Sequence, residues 1–83
     1  MNYLEKTKES YNNYYNQYKA AWCKKSGLPM YTKNDWSKIE KDELYSVTRA
    51  IRAKVDIDNT TVCAWYRMAN GYIPLFKKKG DTQ

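Results

Sequence analysis

Large apolar and aromatic side chains recur along residues 2–25 at intervals of three and four. Wound at 3.6 residues per turn, Tyr3, Leu4, Thr7, Tyr11, Tyr14, Tyr15, Tyr18, Ala21 and Trp22 share one stripe about 120° wide. Lys6, Glu9, Asn12, Asn13, Asn16, Lys19 and Ala20 occupy the other face. This pattern predicts an amphipathic, tyrosine-rich helix over 2–25. Ser26-Gly27-Leu28-Pro29 ends it, because Gly27 can take a left-handed cap and Pro29 cannot continue a helix.

Thr32-Lys33-Asn34-Asp35 has the composition of a helix start and leads into a short turn through Trp36 and Ile39. Asp42 and Glu43 are expected to open a second helix, with acids where the helix dipole favours them. Leu44, Val47, Ile51 and Val55 line its apolar side, while Arg49 and Arg52 project away. Asp56-Ile57-Asp58-Asn59 breaks the pattern, with Ile57 turned inward.

Residues 60–70 fit two structures. A helix would place Val62, Trp65 and Ala69 on one side and Thr60, Cys63, Ala64 and Arg67 on the other, with Asp58 or Thr60 capping its start and Gly71 its end. A strand would enter a hairpin at Asn70-Gly71, a strong turn dipeptide. Pro74 is poorly suited to the returning strand, and alternation along 62–69 is weak. These two features favour the helix, with 72–76 extended back over the core. Leu44, Ile51, Val62 and Trp65 belong to the core on either reading, and the tail 77–83 is expected to fray.

The chain therefore reads as one domain, 1–83, of the all-α class: a small bundle of three to five helices. A chain this short buries only about 60–65% of its unfolded surface. The nine Tyr, three Trp and one Phe must then supply much of its core. A net charge of +6 favours anionic partners. It is spread evenly, with seven basic and four acidic residues in 1–40 and eight and five in 41–83, so the one cationic run is Lys77-Lys78-Lys79. Cys23 and Cys63 make no disulfide framework, and neither a signal peptide nor an apolar stretch of membrane-spanning length is evident. A cytoplasmic location, without membrane contact, is the expectation.

Catalytic chemistry finds little support. There is no histidine, which removes the commonest general base and metal ligand. Two isolated cysteines suggest neither a zinc site nor an activated nucleophile, and three glycines cannot build a phosphate-cradling loop. Asp56 and Asp58 read as local capping groups. No enzyme activity, metal or cofactor is predicted.

Ile57, Val62 and Trp65 have the spacing of the turn residue and inner-face residues in the second half of a helix-turn-helix. Ile51 and Val55 stand where the first helix would contribute apolar positions, and Asn70-Gly71 with Pro74 closes the unit. Region 42–74 thus resembles the helix-turn-helix of small phage-repressor-type DNA-binding proteins. It departs from that pattern at Arg52, where a small residue is usual, and at Asp56, where glycine is usual. The resemblance implies a transcriptional regulator of double-stranded DNA, reading the major groove through 59–70. Asn59, Thr60 and Thr61 would start the recognition helix, with Cys63, Ala64 and Arg67 on its outward face. Arg67 would be the base reader. Arg49, Arg52, Lys54, Lys77, Lys78 and Lys79 would contact phosphates.

The tyrosine stripe supports a second reading. Seven large side chains share that stripe, Tyr11, Tyr14, Tyr15, Tyr18 and Trp22 among them, more than one short partner helix can easily cover. Part of that face would then serve a homodimer or another protein, as in an accessory or inhibitor protein.

Overall fold

The computed structural model describes residues 5–79. Within 10–25 the chain does not form one helix. Tyr11–Asn12 (β1) and Gln17–Tyr18 (β2) pair as a hairpin, Tyr11 opposite Tyr18 and Asn12 opposite Gln17. The asparagines explain the turn. Asn12 Oδ1 accepts the N–H groups of Tyr14 (3.0 Å) and Tyr15 (3.4 Å), and Asn16 takes a left-handed φ of 56°, which asparagine tolerates. Only Ala20–Lys25 (α1) is helical, and it ends as expected at Gly27, whose φ is +75°. The 2–25 helix is thereby corrected to a hairpin and a six-residue helix. Tyr3 and Leu4 lie outside the described residues.

After Met30–Tyr31 (β3), the predicted start at Thr32 is a complete capping box. Thr32 Oγ1 accepts from the Asn34 N–H at 3.2 Å, and Asp35 Oδ2 accepts from the Thr32 N–H at 2.9 Å. A 3₁₀ turn (33–35) runs into Trp36–Lys41 (α2). Asp42 and Glu43 do not open the next helix. Asp42 caps the end of α2, Glu43 sits at φ 54°, and Leu44–Tyr45 (β4) follows. The next helix, Val47–Ala53 (α3), starts at Ser46, whose hydroxyl accepts from the Arg49 N–H at 3.2 Å. That late start changes which face turns inward. Ala50 is buried and Ile51, expected in the core, is 72% exposed.

Ala64–Met68 (β5) and Gly71–Lys77 (β6) form the longest hairpin, from Met68 opposite Gly71 to Ala64 opposite Leu75. The recognition helix at 59–70 is therefore absent, and with it the helix-turn-helix across 42–74. The sheet runs β1-β2-β6-β5-β3, antiparallel except for β3 with β5, and β4 joins β6 beyond β2. The fold is mixed α and β, with a six-stranded sheet, rather than an all-α bundle. Both outer strands of the main order, β1 and β3, are two residues long, which leaves little edge for unwanted strand addition.

Two local facts reconcile this sheet with the sequence. Pro74 faces a break in the outer edge of β6, where Tyr72 pairs with Tyr18 and Phe76 with Tyr45. Its cross-strand neighbour Trp65 sends its N–H the other way, to the Pro29 carbonyl at 2.8 Å. A missing N–H at Pro74 thus costs no ladder bond. Alternation is weak because both faces are covered at that end. Trp65 and Phe76 pack with Tyr18, Cys23 and Val62 on the α1 side, while Ala64 and Leu75 pack with Ile39 and Leu44 on the α2 side.

The cationic run is anchored rather than frayed. Lys77 lies in β6, its carbonyl accepts the Asp58 N–H at 3.1 Å, and the Lys79 N–H reaches Asp56 O at 2.8 Å. Lys78 bridges to Ile57, which is half-buried as expected. The rest of the tail, 80–83, lies outside the described residues.

Burial also sets the chemistry of the α1-side core. It pushes the Cys23 thiol up to about 12, and burial with nearby Tyr11 and Cys23 pushes the Tyr18 hydroxyl up to about 12. Both groups stay protonated in the fold after the unfolded chain has begun to lose those protons, near 9.0 and 10.0. Stability should therefore fall as pH rises from about 9 toward 12. Urea midpoints measured at about pH 8 and about pH 11 test this, and equal midpoints would contradict it.

A candidate interaction groove

The residues assigned to DNA do not assemble into one surface. Asn59, Thr60 and Thr61 are exposed in the loop between α3 and β5. There Asp58 Oδ1 accepts the Thr60 N–H at 3.1 Å and its hydroxyl at 2.5 Å, which holds the Asp58 carboxyl below its usual range. This is the local capping role read from sequence. Cys63 is half-buried and Ala64 is buried beneath α2, so neither can face outward into a groove of DNA.

Among the proposed phosphate contacts, Arg49 is already engaged. Its guanidinium donates to Leu44 O at 2.7 Å, lies 3.8 Å from Glu40, and stacks 4.9 Å from the Trp36 ring and 4.6 Å from the Tyr45 ring. Arg52 and Lys54 are exposed at the end of α3, where Lys54 takes the left-handed cap at φ 58°. Arg67 stands opposite Tyr72, and Lys77 lies five residues further along β6. At about 3.4 Å per residue the two are some 17 Å apart on the strand. Lys78 and Lys79 lie beyond.

A different constellation emerges where the hairpin β1–β2 approaches the start of α3. Two hollows adjoin there, sharing Asn16, Ser46, Thr48 and Ile73. The first, of ≈ 500 Å³, lies between Tyr11 and Tyr18 on one side and Val47 on the other, over Pro74 and Phe76, with Lys6 in its lining. The second, of ≈ 460 Å³, is floored by Tyr66, Met68, Ile73 and Leu75 and walled by Trp36 and Tyr15.

The second hollow exists because α2 is short. Ile39 and Leu44 cover Ala64 and Leu75, but α2 does not extend over Met68. Trp36, Met68 and Tyr15 remain 38%, 39% and 43% exposed, so an apolar surface with aromatic walls faces water. The wall is held firmly. Trp36 meets Tyr66 edge to face at 5.8 Å and receives Arg49 on its own ring.

No protein-family model, curated protein or solved structure matches the chain.

Tyr15 is the residue of this hollow already singled out by the tyrosine pattern. Trp36, Tyr66, Met68 and Ile73 were not recognised as a site. Tyr66 with Met68, and Ile73 with Leu75, each have the two-residue spacing of one sheet face, but only the hairpin register brings the two pairs together. Among the described residues no group of three or more His, Cys, Asp or Glu side chains could hold a metal ion. Among those residues, too, no helix is long and apolar enough to cross a membrane.

Proposed function

We propose that the protein is an interaction module for another protein, and that the hollow between Tyr15, Trp36 and the β5–β6 face receives part of that partner. One observation carries this reading: Met68, Ile73 and Tyr66 form an apolar floor that α2 leaves open, inside a rim of tyrosine, tryptophan and arginine. Those three residue types dominate the energetics of protein interfaces. The Arg49–Trp36–Tyr66 stack fixes the rim before binding, which lowers the ordering cost of association. A second copy of the chain suits the hollow poorly, since each copy carries +6 and would repel the other.

Random-peptide display on the folded protein, with a Met68→Glu variant as counter-target, tests the reading. Met68 is partly exposed near the end of β5, so the charge should be tolerated by the fold. Enriched peptides are expected to bind the wild type at least about tenfold more tightly than the variant. Failure to enrich any peptide, or equal binding to both proteins, would overturn the proposal.

A further inference from the structure

We infer that the segment received by this groove is acidic, an apolar anchor flanked by carboxylates. The inference rests on the interaction reading above and deepens it through charge. The apolar hollow lies between two cationic shoulders. On one side a shallow cleft shares Trp36, Ser46, Thr48 and Arg49 with it and adds Arg52. On the other side a cleft shares Tyr66 and Met68 and adds Lys33. The companion hollow adds Lys6. Among the described residues, no Asp or Glu lines any of these surfaces.

That separation is not a consequence of scarce acids, because the chain has nine. Three are held by groups of the chain itself, Glu40 beside the Arg49 that edges the hollow. Asp35 is locked in the Thr32 capping box, Glu40 faces Arg49, and Asp58 closes its own turn with Thr60. Among the described residues the Glu40–Arg49 contact is the one ion pair, so Lys33 and Arg52 meet no described carboxylate within 4.0 Å. Cations flanking an apolar floor, Lys33 on one side and Arg52 on the other, would attract negative charge and repel basic segments, giving selectivity mainly through encounter rate and partner rejection.

Phosphate would satisfy the same cations, but the floor argues for a protein. Met68, 39% exposed, and half-buried Ile73 offer an aliphatic surface suited to a side chain such as leucine or phenylalanine. Single-stranded nucleic acid is instead held on open aromatic platforms. Here the Trp36 ring is already covered by Arg49, and Tyr66 is half-buried.

The peptides enriched by display supply the probe. Their composition is compared with the unselected pool, and their affinities are measured by fluorescence anisotropy at low and high salt. Asp and Glu should be enriched beside the apolar anchor, with affinity about three- to tenfold weaker at high salt. Arg52→Glu and Lys33→Glu should each weaken binding by a similar factor while leaving a synthetic Gln-flanked version of the same peptide unchanged. Enrichment of neutral or basic flanks would overturn the inference while leaving the interaction reading in place. Failure to enrich any peptide would overturn both. Tighter binding of an oligothymidine, lost in Met68→Glu, would also overturn it and assign the groove to nucleic acid.

Discussion

Replacing Trp65 with alanine is expected to destabilise the protein by about 3–5 kcal/mol, the usual range for truncating a buried tryptophan. A domain of this length has roughly 4–12 kcal/mol in total, at about 0.05–0.15 kcal/mol per residue. The variant should therefore lose from about a quarter to all of its stability. Trp65 is 0% exposed, packs 5.1 Å from the Tyr18 ring, and belongs to the cluster containing Phe76, Val62 and Cys23. Its indole N–H donates to Ser26 Oγ at 2.9 Å, and its backbone N–H donates to Pro29 O at 2.8 Å. One residue thereby ties β5 to both the end of α1 and the entry to β3. Trp65→Phe separates the terms: it keeps most of the packing and gives up the indole bond, a net loss of about 1 kcal/mol or more. Urea unfolding followed by far-UV circular dichroism checks both variants. A Trp65→Ala midpoint close to wild type would show that this core assignment is wrong.

Trp65 was also among the most legible residues in the chain. A large aromatic with Val62 three positions before it points to the core whether the backbone is coiled or extended, and both are buried. Helical periodicity misled elsewhere because spacings of three and four also arise when two strands flank a turn. Tyr11, Tyr14, Tyr15 and Tyr18 make one stripe on a helix. In the hairpin, Tyr11 and Tyr18 pair across strands and Tyr14 and Tyr15 occupy the tip, where Tyr14 is 85% exposed. The three asparagines and one glutamine interleaved with those tyrosines carried the better signal, since asparagine side chains compete for backbone donors and favour turns.

The C-terminal hairpin was legible in its turn and hidden in its strands. Asn70-Gly71 announces a reversal close to where one occurs, yet Pro74 argues against a ladder unless the neighbouring strand is known to break there. That break depends on β2 and β4, two-residue strands with no pattern of their own. The groove was illegible for the same reason. Its floor comes from β5 and β6, its walls from the hairpin and α2, and its cations from α3 and the segment after β3. Local capping chemistry fared better. Gly27, the Thr32–Asp35 box and Asp58 act as their residue types suggest, because each answers to partners within a few positions.

Gly71→Ala should disable the groove from a position that does not line it. An ideal Cβ on Gly71 would lie 2.6 Å from the Tyr18 carbonyl oxygen and 2.9 Å from Gln17 Cβ. The first contact is with backbone, so no rotamer change relieves it. The strands must separate where Tyr18 meets Tyr72, the registered pair joining β2 to β6. Forcing a methyl into so tight a contact costs about 1–3 kcal/mol. The displaced hairpin would carry away Tyr15 and Asn16, which wall the apolar hollow, and the Gln17 carboxamide that accepts the Asn70 N–H at 3.0 Å. Gly27→Ala is the matched control. It lies at φ +75° with nothing within 4 Å of the new methyl, so it should cost about 1–2 kcal/mol through backbone strain alone, at the end of α1. Amide hydrogen exchange and peptide affinity distinguish the two. Gly71→Ala should raise exchange at Tyr18 and Tyr72 and weaken binding of the enriched peptides, whereas Gly27→Ala should leave binding unchanged. Comparable peptide affinity in both variants would mean that the hairpin is not a wall of the site.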